Sequence, residues 1–195
     1  MILVTGGTGF LGATLIKKLI DKGTHVIALK RETSTIPETL KSSSLIQWVD
    51  ADITDYFALE AIFSGISQVY HCAAKTSYQK PDWESMLHIN IEGTKHIVNL
   101  CLEHKARLLH VSSIAALGSN KQGLPVTEDD KWEDDPHIAK YSLSKYESEM
   151  EVWRGIVEGL DAVISNRSVI MGEGPRKKGA AALFNLVEEG LKIYP

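Results

Sequence analysis

Short apolar runs alternate along the chain with longer segments whose apolar residues recur at helical spacing. Met1–Thr5, His25–Lys30, Leu45–Val49, Gln68–Ala73, Arg107–Ser112 and Ala162–Ser168 read as strands. They show little polar alternation, which is the mark of strands buried on both faces of a parallel sheet. Gly12–Lys22, Asp55–Phe63, Pro81–His104, His137–Gly159 and Ala180–Leu191 read as helices. Gly23 and Gly65 stand where a left-handed residue ends a helix, and Pro81 suits a first turn. The polar stretch Glu32–Ser44 is a loop with room for a short helix. Ile114–Pro136 is the one long irregular segment, with Gly118, Gly123 and Pro125, and a loop of that size points to a functional role.

A strand followed each time by a helix predicts an α/β fold, a doubly wound parallel sheet of six or more strands with helices on both faces. No interdomain linker breaks the pattern, so residues 1–195 read as one domain. The 195 residues are 44% hydrophobic and 24% charged, enough for a core that needs neither disulfide nor metal. Lys and Arg number 21 against 25 for Asp and Glu, and no basic stripe interleaved with aromatics offsets the net charge of −4. A nucleic-acid partner is not expected. No apolar run approaches the roughly 18 residues of a membrane span. Cys72 and Cys101 lie far apart in apolar segments, as free thiols of a reducing compartment do. The first strand begins at Met1 with no leader before it, so the expected location is the cytoplasm. The seven histidines show no ligand spacing, and no metal is expected; His71 and His110 fall in strands and read as core or hydrogen-bonded residues. Glu128, Asp129, Asp130, Glu133, Asp134 and Asp135 read as a solvated acidic face, and Trp153 as helix packing.

Thr5-Gly-Gly-Thr-Gly-Phe-Leu-Gly12 joins the first strand to the first helix. Gly6, Gly9 and Gly12 permit a tight turn, close approach of a pyrophosphate and close packing of helix on strand. The helix then offers unsatisfied N–H groups and a positive dipole end to phosphates. These features predict a dinucleotide site. An acidic residue at the end of the second strand would bind a ribose 2′-hydroxyl, but Leu29-Lys30-Arg31 stands there. A guanidinium can grip a 2′-phosphate bidentately, so NADP is expected ahead of NAD.

Further motifs follow in order: Asp50-Ala-Asp52-Ile53-Thr-Asp55, Val69-Tyr-His71-Cys-Ala73-Ala74, Asn90-Ile-Glu-Gly93-Thr94, Val111-Ser-Ser113-Ile-Ala-Ala-Leu-Gly118 and Tyr141-Ser-Leu-Ser-Lys145. With the glycine motif they resemble the extended short-chain dehydrogenase/reductase family, of the NAD-dependent epimerase/dehydratase type, over nearly the whole chain. The Ser-Ser-Ile-Ala-Ala-Leu-Gly and Tyr-x-x-Ser-Lys segments look nearest the dihydroflavonol-reductase and 3β-hydroxysteroid-dehydrogenase branch. The resemblance implies a Rossmann-type domain. It places Gly6, Gly9, Phe10, Leu11 and Gly12 at the cofactor, Asp52 and Ile53 beside the adenine, and Ala73 and Ala74 along the fourth strand. Arg31 falls where NADP-dependent reductases of this branch hold the phosphate, with Lys30 beside it. Asn90 stands either in a proton relay or in a backbone bond of its helix, and Asn166 near the nicotinamide.

Hydride transfer at a carbinol carbon needs a proton moved at the attached oxygen. A free tyrosine, with a pKa near 10, is a poor base at neutral pH. Lys145 lies four residues after Tyr141 on the same helical face, and its ammonium favours the phenolate. In the family this lysine also reaches the nicotinamide ribose. Ser113, at a strand end and with a better match than Ser112 to the spacing from Gly118, would orient the substrate oxygen. Ser113, Tyr141 and Lys145 are therefore the expected catalytic residues.

Two features depart from the family. Arg167 stands where the branch usually has proline. Family members also continue past the position of Pro195 into a part that supplies much of the substrate pocket, so most of a substrate domain is expected to be missing from this chain. The expected function is NADP-dependent oxidoreduction of a hydroxyl/ketone pair on a small molecule. The alternatives are a nucleotide-sugar epimerase or dehydratase that retains NAD, and a non-catalytic dinucleotide sensor. Apolar surface left uncovered beside the site leaves room for a homodimer.

Overall fold

A computed structural model describes residues 1–118, 125–130, 132, 138–172 and 190. Its strands are β1 (Ile2–Thr5), β2 (Val26–Lys30), β3 (Ile46–Asp50), β4 (Gln68–His71), β5 (Arg107–Ser113) and β6 (Ala162–Arg167). They form one parallel sheet in the order β3-β2-β1-β4-β5-β6. The helices are α1 (Phe10–Ile20), α2 (Glu38–Lys41), α3 (Tyr56–Glu60), α4 (Trp83–His104) and α5 (Lys140–Val157). This is the doubly wound Rossmann-like architecture. Strand order reverses between β1 and β4, and such a switch point opens a crevice at the carboxyl ends of the strands.

Successive strand residues point to opposite faces, so neighbours in sequence serve different layers. Leu3, Ile27, Leu29, Val69 and Leu108 pack with Leu59 and Phe63, with Ile97 and Leu100 of α4, and with Val152 of α5. Val4, Val26 and Ala28 turn the other way onto Ile16 of α1 and Leu40 of α2. The short α2 falls inside the polar stretch where a short helix was expected. Asp55 caps α3 by accepting from Ala58 N at 3.0 Å. Gly23 and Gly65 take positive φ of 75° and 76°, as their positions predict, but α4 ends on Lys105 at φ 53°.

Some boundaries differ from the sequence reading. Pro81 lies in a 3₁₀ turn, Lys80–Asp82, that leads into α4. The fourth strand stops at His71, because the Ala73 N–H turns to Thr5 Oγ1 at 3.1 Å. Trp153 is 48% exposed rather than packed away. The expected helix over 180–191 lies outside the described residues apart from Gly190, as do Gly123, Glu133, Asp134 and Asp135. No helix among the described residues is long and apolar enough to cross a membrane.

Leu108 is fully buried at the centre of β5, between the sheet and its helices. Leu108→Ala is expected to lower the unfolding free energy by about 2–5 kcal/mol, the range for a truncated core leucine. Denaturant titration with an unchanged m-value checks it.

Candidate functional site

The crevice at the switch point is a groove of about 360 Å³ lined by Gly6, Thr8 and Gly9, by Lys30 and Arg31, and by Asp52, Ile53, Ala73 and Ala74, among others. At one end, glycine is required twice by geometry. Gly6 has φ +68°, and a Cβ on it would lie 2.8 Å from Ala73 N. A Cβ on Gly12 would lie 2.2 Å from the Gly6 carbonyl oxygen. The backbone of the turn therefore runs against both β4 and α1 with no room for a side chain. Gly9 is the N-cap of α1 and offers no side-chain cap. The first-turn N–H groups of α1 thus have no side-chain acceptor, the arrangement that suits a pyrophosphate. Phe10 is 36% exposed at the start of α1, and Leu11 and Gly12 follow it behind the groove rather than among its lining residues.

The opposite end carries the charge. Arg31 lines the groove, is exposed, and has no ion pair among the described residues. Lys30 lines it too, but its ammonium is paired with Asp50 on the adjoining strand, in register 30↔50. Of the two cations expected at a 2′-phosphate, Lys30 is paired and Arg31 has no ion pair among the described residues. Asp52 is held by its own turn, accepting from Thr54 N at 2.9 Å and Thr54 Oγ1 at 2.8 Å. Ala51 and Ile53 complete an apolar wall there. The cradle over Gly6 and Gly9, the apolar wall and the open guanidinium fit a dinucleotide lying across the switch point.

Lys145 is buried, and its Nζ donates to Val111 O in β5 at 3.1 Å. Burial pulls its pKa down to about 8. It interacts electrostatically with Cys72, which also lines the groove. Tyr141 stands one turn earlier on α5, half-buried, with its ring 5.7 Å from that of the exposed Tyr78. Ser113 ends β5, two residues past the carbonyl that holds Lys145, and its Oγ accepts from Ala115 N at 3.2 Å. Ser113 thus ends the strand to which Lys145 is bonded, and Tyr141 lies one turn before Lys145 on α5.

Asn90 and Asn166 prove to be inward-facing braces. Asn90 Oδ1 accepts from Lys75 N at 2.8 Å, and its Nδ2 donates to Lys75 O at 2.9 Å and to Ser144 Oγ at 3.0 Å. It fixes the loop after β4 to α5, where the sequence left a proton relay and a bond within its own helix as the two readings. Asn166 Nδ2 donates to Ser113 O at 3.2 Å and to Glu149 Oε2 at 2.8 Å. Its side-chain amide is engaged with those groups.

Of the two roles expected for His71, core and hydrogen-bonded, the buried ring fills both, and its partners were not legible in the sequence. Thr94 Oγ1 gives its proton to Asn90 O at 2.6 Å, so at 3.1 Å it accepts from His71 Nε2. His71 Nδ1 then accepts from Thr5 Oγ1 at 2.7 Å, and Thr5 Oγ1 accepts from Ala73 N. The chain of bonds admits only the neutral Nε2–H tautomer. Burial lowers the pKa of His71 to about 3, with the Lys145 charge adding to the shift. His110 lies beside it at 5.3 Å between ring centroids, yet neither of its ring nitrogens has a hydrogen-bond partner. Burial holds its pKa well below the ordinary value as well. Both cysteines are free thiols pushed up to about 12 by burial.

The family model for the NAD dependent epimerase/dehydratase family matches residues 2–192. The chain is 36% identical over 172 residues to a protein of Synechocystis sp. named as a dihydroflavonol 4-reductase, covering 87% of this chain and 49% of that one. It is 30% identical over 173 residues to the sterol demethylase protein B of Methylococcus capsulatus, covering 87% and 51%. The chain thus spans about half the length of these relatives. A UDP-glucuronic acid 4-epimerase from Bacillus cereus, solved in complex with NAD, superposes with a TM-score of 0.80 at 23% identity, covering 96% of this chain and 62% of that one.

The buried histidines set an acid limit. Folding favours their neutral forms, whereas the unfolded chain takes up protons near pH 6.5. The unfolded state therefore binds more protons below that pH, and stability falls as pH drops from about 6.5 towards 3. His110→Leu removes the unpartnered ring. It is expected to raise the unfolding free energy by about 1–3 kcal/mol at pH 7 and to flatten the loss below pH 6. Urea titrations at pH 7 and pH 5 measure both effects.

Proposed function

The chain belongs to the NAD dependent epimerase/dehydratase family, and on that premise we propose that it carries the cofactor-binding domain of an NADP-dependent oxidoreductase acting on a hydroxyl/ketone pair of a small molecule. The observation that carries this reading is the buried ammonium of Lys145, held by the Val111 carbonyl of β5 and one helical turn from Tyr141. A buried cation costs several kcal/mol, and a fold retains one where the charge has work to do. Here it lowers the energy of a Tyr141 phenolate, so that Tyr141 can take or return the proton at the substrate oxygen. Ser113 at the end of β5 orients that oxygen. The bound dinucleotide supplies or accepts the hydride. Gly6, Gly9 and the α1 N-terminus hold its pyrophosphate, and Asp52, Ile53, Ala73 and Ala74 flank it.

Arg31 supports NADP over NAD, since an unpaired guanidinium at the ribose end of the groove suits a 2′-phosphate. The Lys30–Asp50 pair supports the second reading, a nucleotide-sugar epimerase or dehydratase with retained NAD, because it leaves one open cation where two were expected. We place the enzyme in the cytoplasm, in keeping with two free thiols, with a small-molecule substrate and no nucleic-acid partner. Met150, Trp153 and Val157 are exposed at helical spacing on α5 and favour a homodimer.

Arg31→Ala is expected to weaken NADPH binding by about 1.5–3 kcal/mol and to leave NADH binding unchanged. Calorimetric titration with both nucleotides decides it, and equal wild-type affinities would favour the NAD reading. Tyr141→Phe is expected to retain nucleotide affinity and lose nearly all turnover in an active form of the enzyme. Wild-type rates from that variant would remove Tyr141 from the mechanism.

A further inference from the structure

Glu149 lies on α5 one turn beyond Lys145, only 8% exposed, and no step described above uses it. Its carboxylate is nonetheless the meeting point of three elements. Oε2 accepts from Ser112 Oγ of β5 and, at 2.8 Å, from Asn166 Nδ2 of β6. Oε1 accepts from the indole Nε1 of Trp153 at 3.3 Å. The same Asn166 amide also donates to the Ser113 carbonyl. Three donors with no ionised partner among them make an unusual seat for a bare carboxylate, and a buried anion needs a reason.

We propose that Glu149 is a positioning residue for the site along the β5–α5 seam: it is the counter-charge of Lys145 and the clamp that fixes the strand end carrying Ser113. This deepens the functional reading above and rests on it for the roles of Ser113 and Lys145.

The charges around Lys145 support it. His71 from β4 and His110 from β5 are neutral, the Cys72 thiol is protonated, and Arg167 of β6 bears on Cys72 with a positive charge. Val111 contributes one carbonyl oxygen. Glu149 is thus the resident anion that favours the ammonium, against a burial cost that pulls the lysine towards neutrality. Without the anion, Lys145 would lose its proton at lower pH, and with it the field that favours a phenolate. The clamp acts separately, because Ser112 and Asn166 hold their neighbours through the oxygen that a glutamine would retain.

Glu149→Gln separates the two effects, keeping the Oε2 acceptor while removing the charge. Following the Lys145 13Cε resonance through a pH titration, we expect the midpoint to fall by about one unit in Glu149→Gln and to stay within 0.3 units of wild type in Glu149→Asp, on the scale of about 1.4 kcal/mol per unit. Unchanged midpoints in a folded Glu149→Gln protein would overturn the proposal. The wild-type protein gives a second measurement, needed if the variants fail to fold. The 13Cδ resonance of Glu149 should inflect at the Lys145 midpoint, and a flat response there would overturn the proposal equally. Neither readout depends on turnover or on which nucleotide binds, so failure of the oxidoreductase reading would remain distinguishable.

Discussion

Where the β1–β4 pairing ends, at Thr5 and His71, the two strands are tied together and to α4 through the ring of His71. A crevice there exposes the last peptides of both strands, and something must satisfy them without filling the space. His71 does so as a neutral spacer, accepting from Thr5 on one side and donating to Thr94 on the other. Thr5 in turn receives the Ala73 N–H, which bends the chain away from the sheet just where Gly6 needs room. A protonated ring would place a second donor against the hydroxyl proton of Thr5 and break the chain of bonds. The glycine turn is therefore tied to the charge state of a buried residue on the neighbouring strand.

From that ring the bonding continues to the opposite wall. Thr94 holds Asn90 O, and the Asn90 side chain braces the loop at Lys75 and reaches Ser144 on α5. Ser144 is next to Lys145, whose ammonium is held by β5. The glycine turn and the Lys145 end of α5 are thus joined through buried side chains rather than through the solvent-facing loops. Such a network is worth having only when fully satisfied. His110 is its unsatisfied neighbour, a stability cost carried at the centre of the sheet.

Much of this was legible in the sequence. The unbroken apolar runs could only be strands covered on both faces, and their alternation with helical segments left a doubly wound sheet as the consistent layer arrangement. Gly6 and Gly12 were marked by their spacing, and the Cβ contacts they would suffer give the reason. Tyr141 and Lys145 share a helical face because 3.6 residues make a turn, a relation that needs no tertiary information.

What the fold alone decided is pairing between distant residues. Arg31 and Lys30 are adjacent in sequence, yet one is open and the other neutralised, because parallel register sets Lys30 opposite Asp50. Asn90 and Asn166, marked in the sequence for the site, act as braces once α4, α5, β5 and β6 are packed together, and Glu149 joins them. Sequence determined which groups could do chemistry, since residue type and local period are intrinsic to the chain. Tertiary structure determined which of those groups stay free to do it, since a charge or a hydrogen bond is used up by whatever the fold brings within about 3 Å of it.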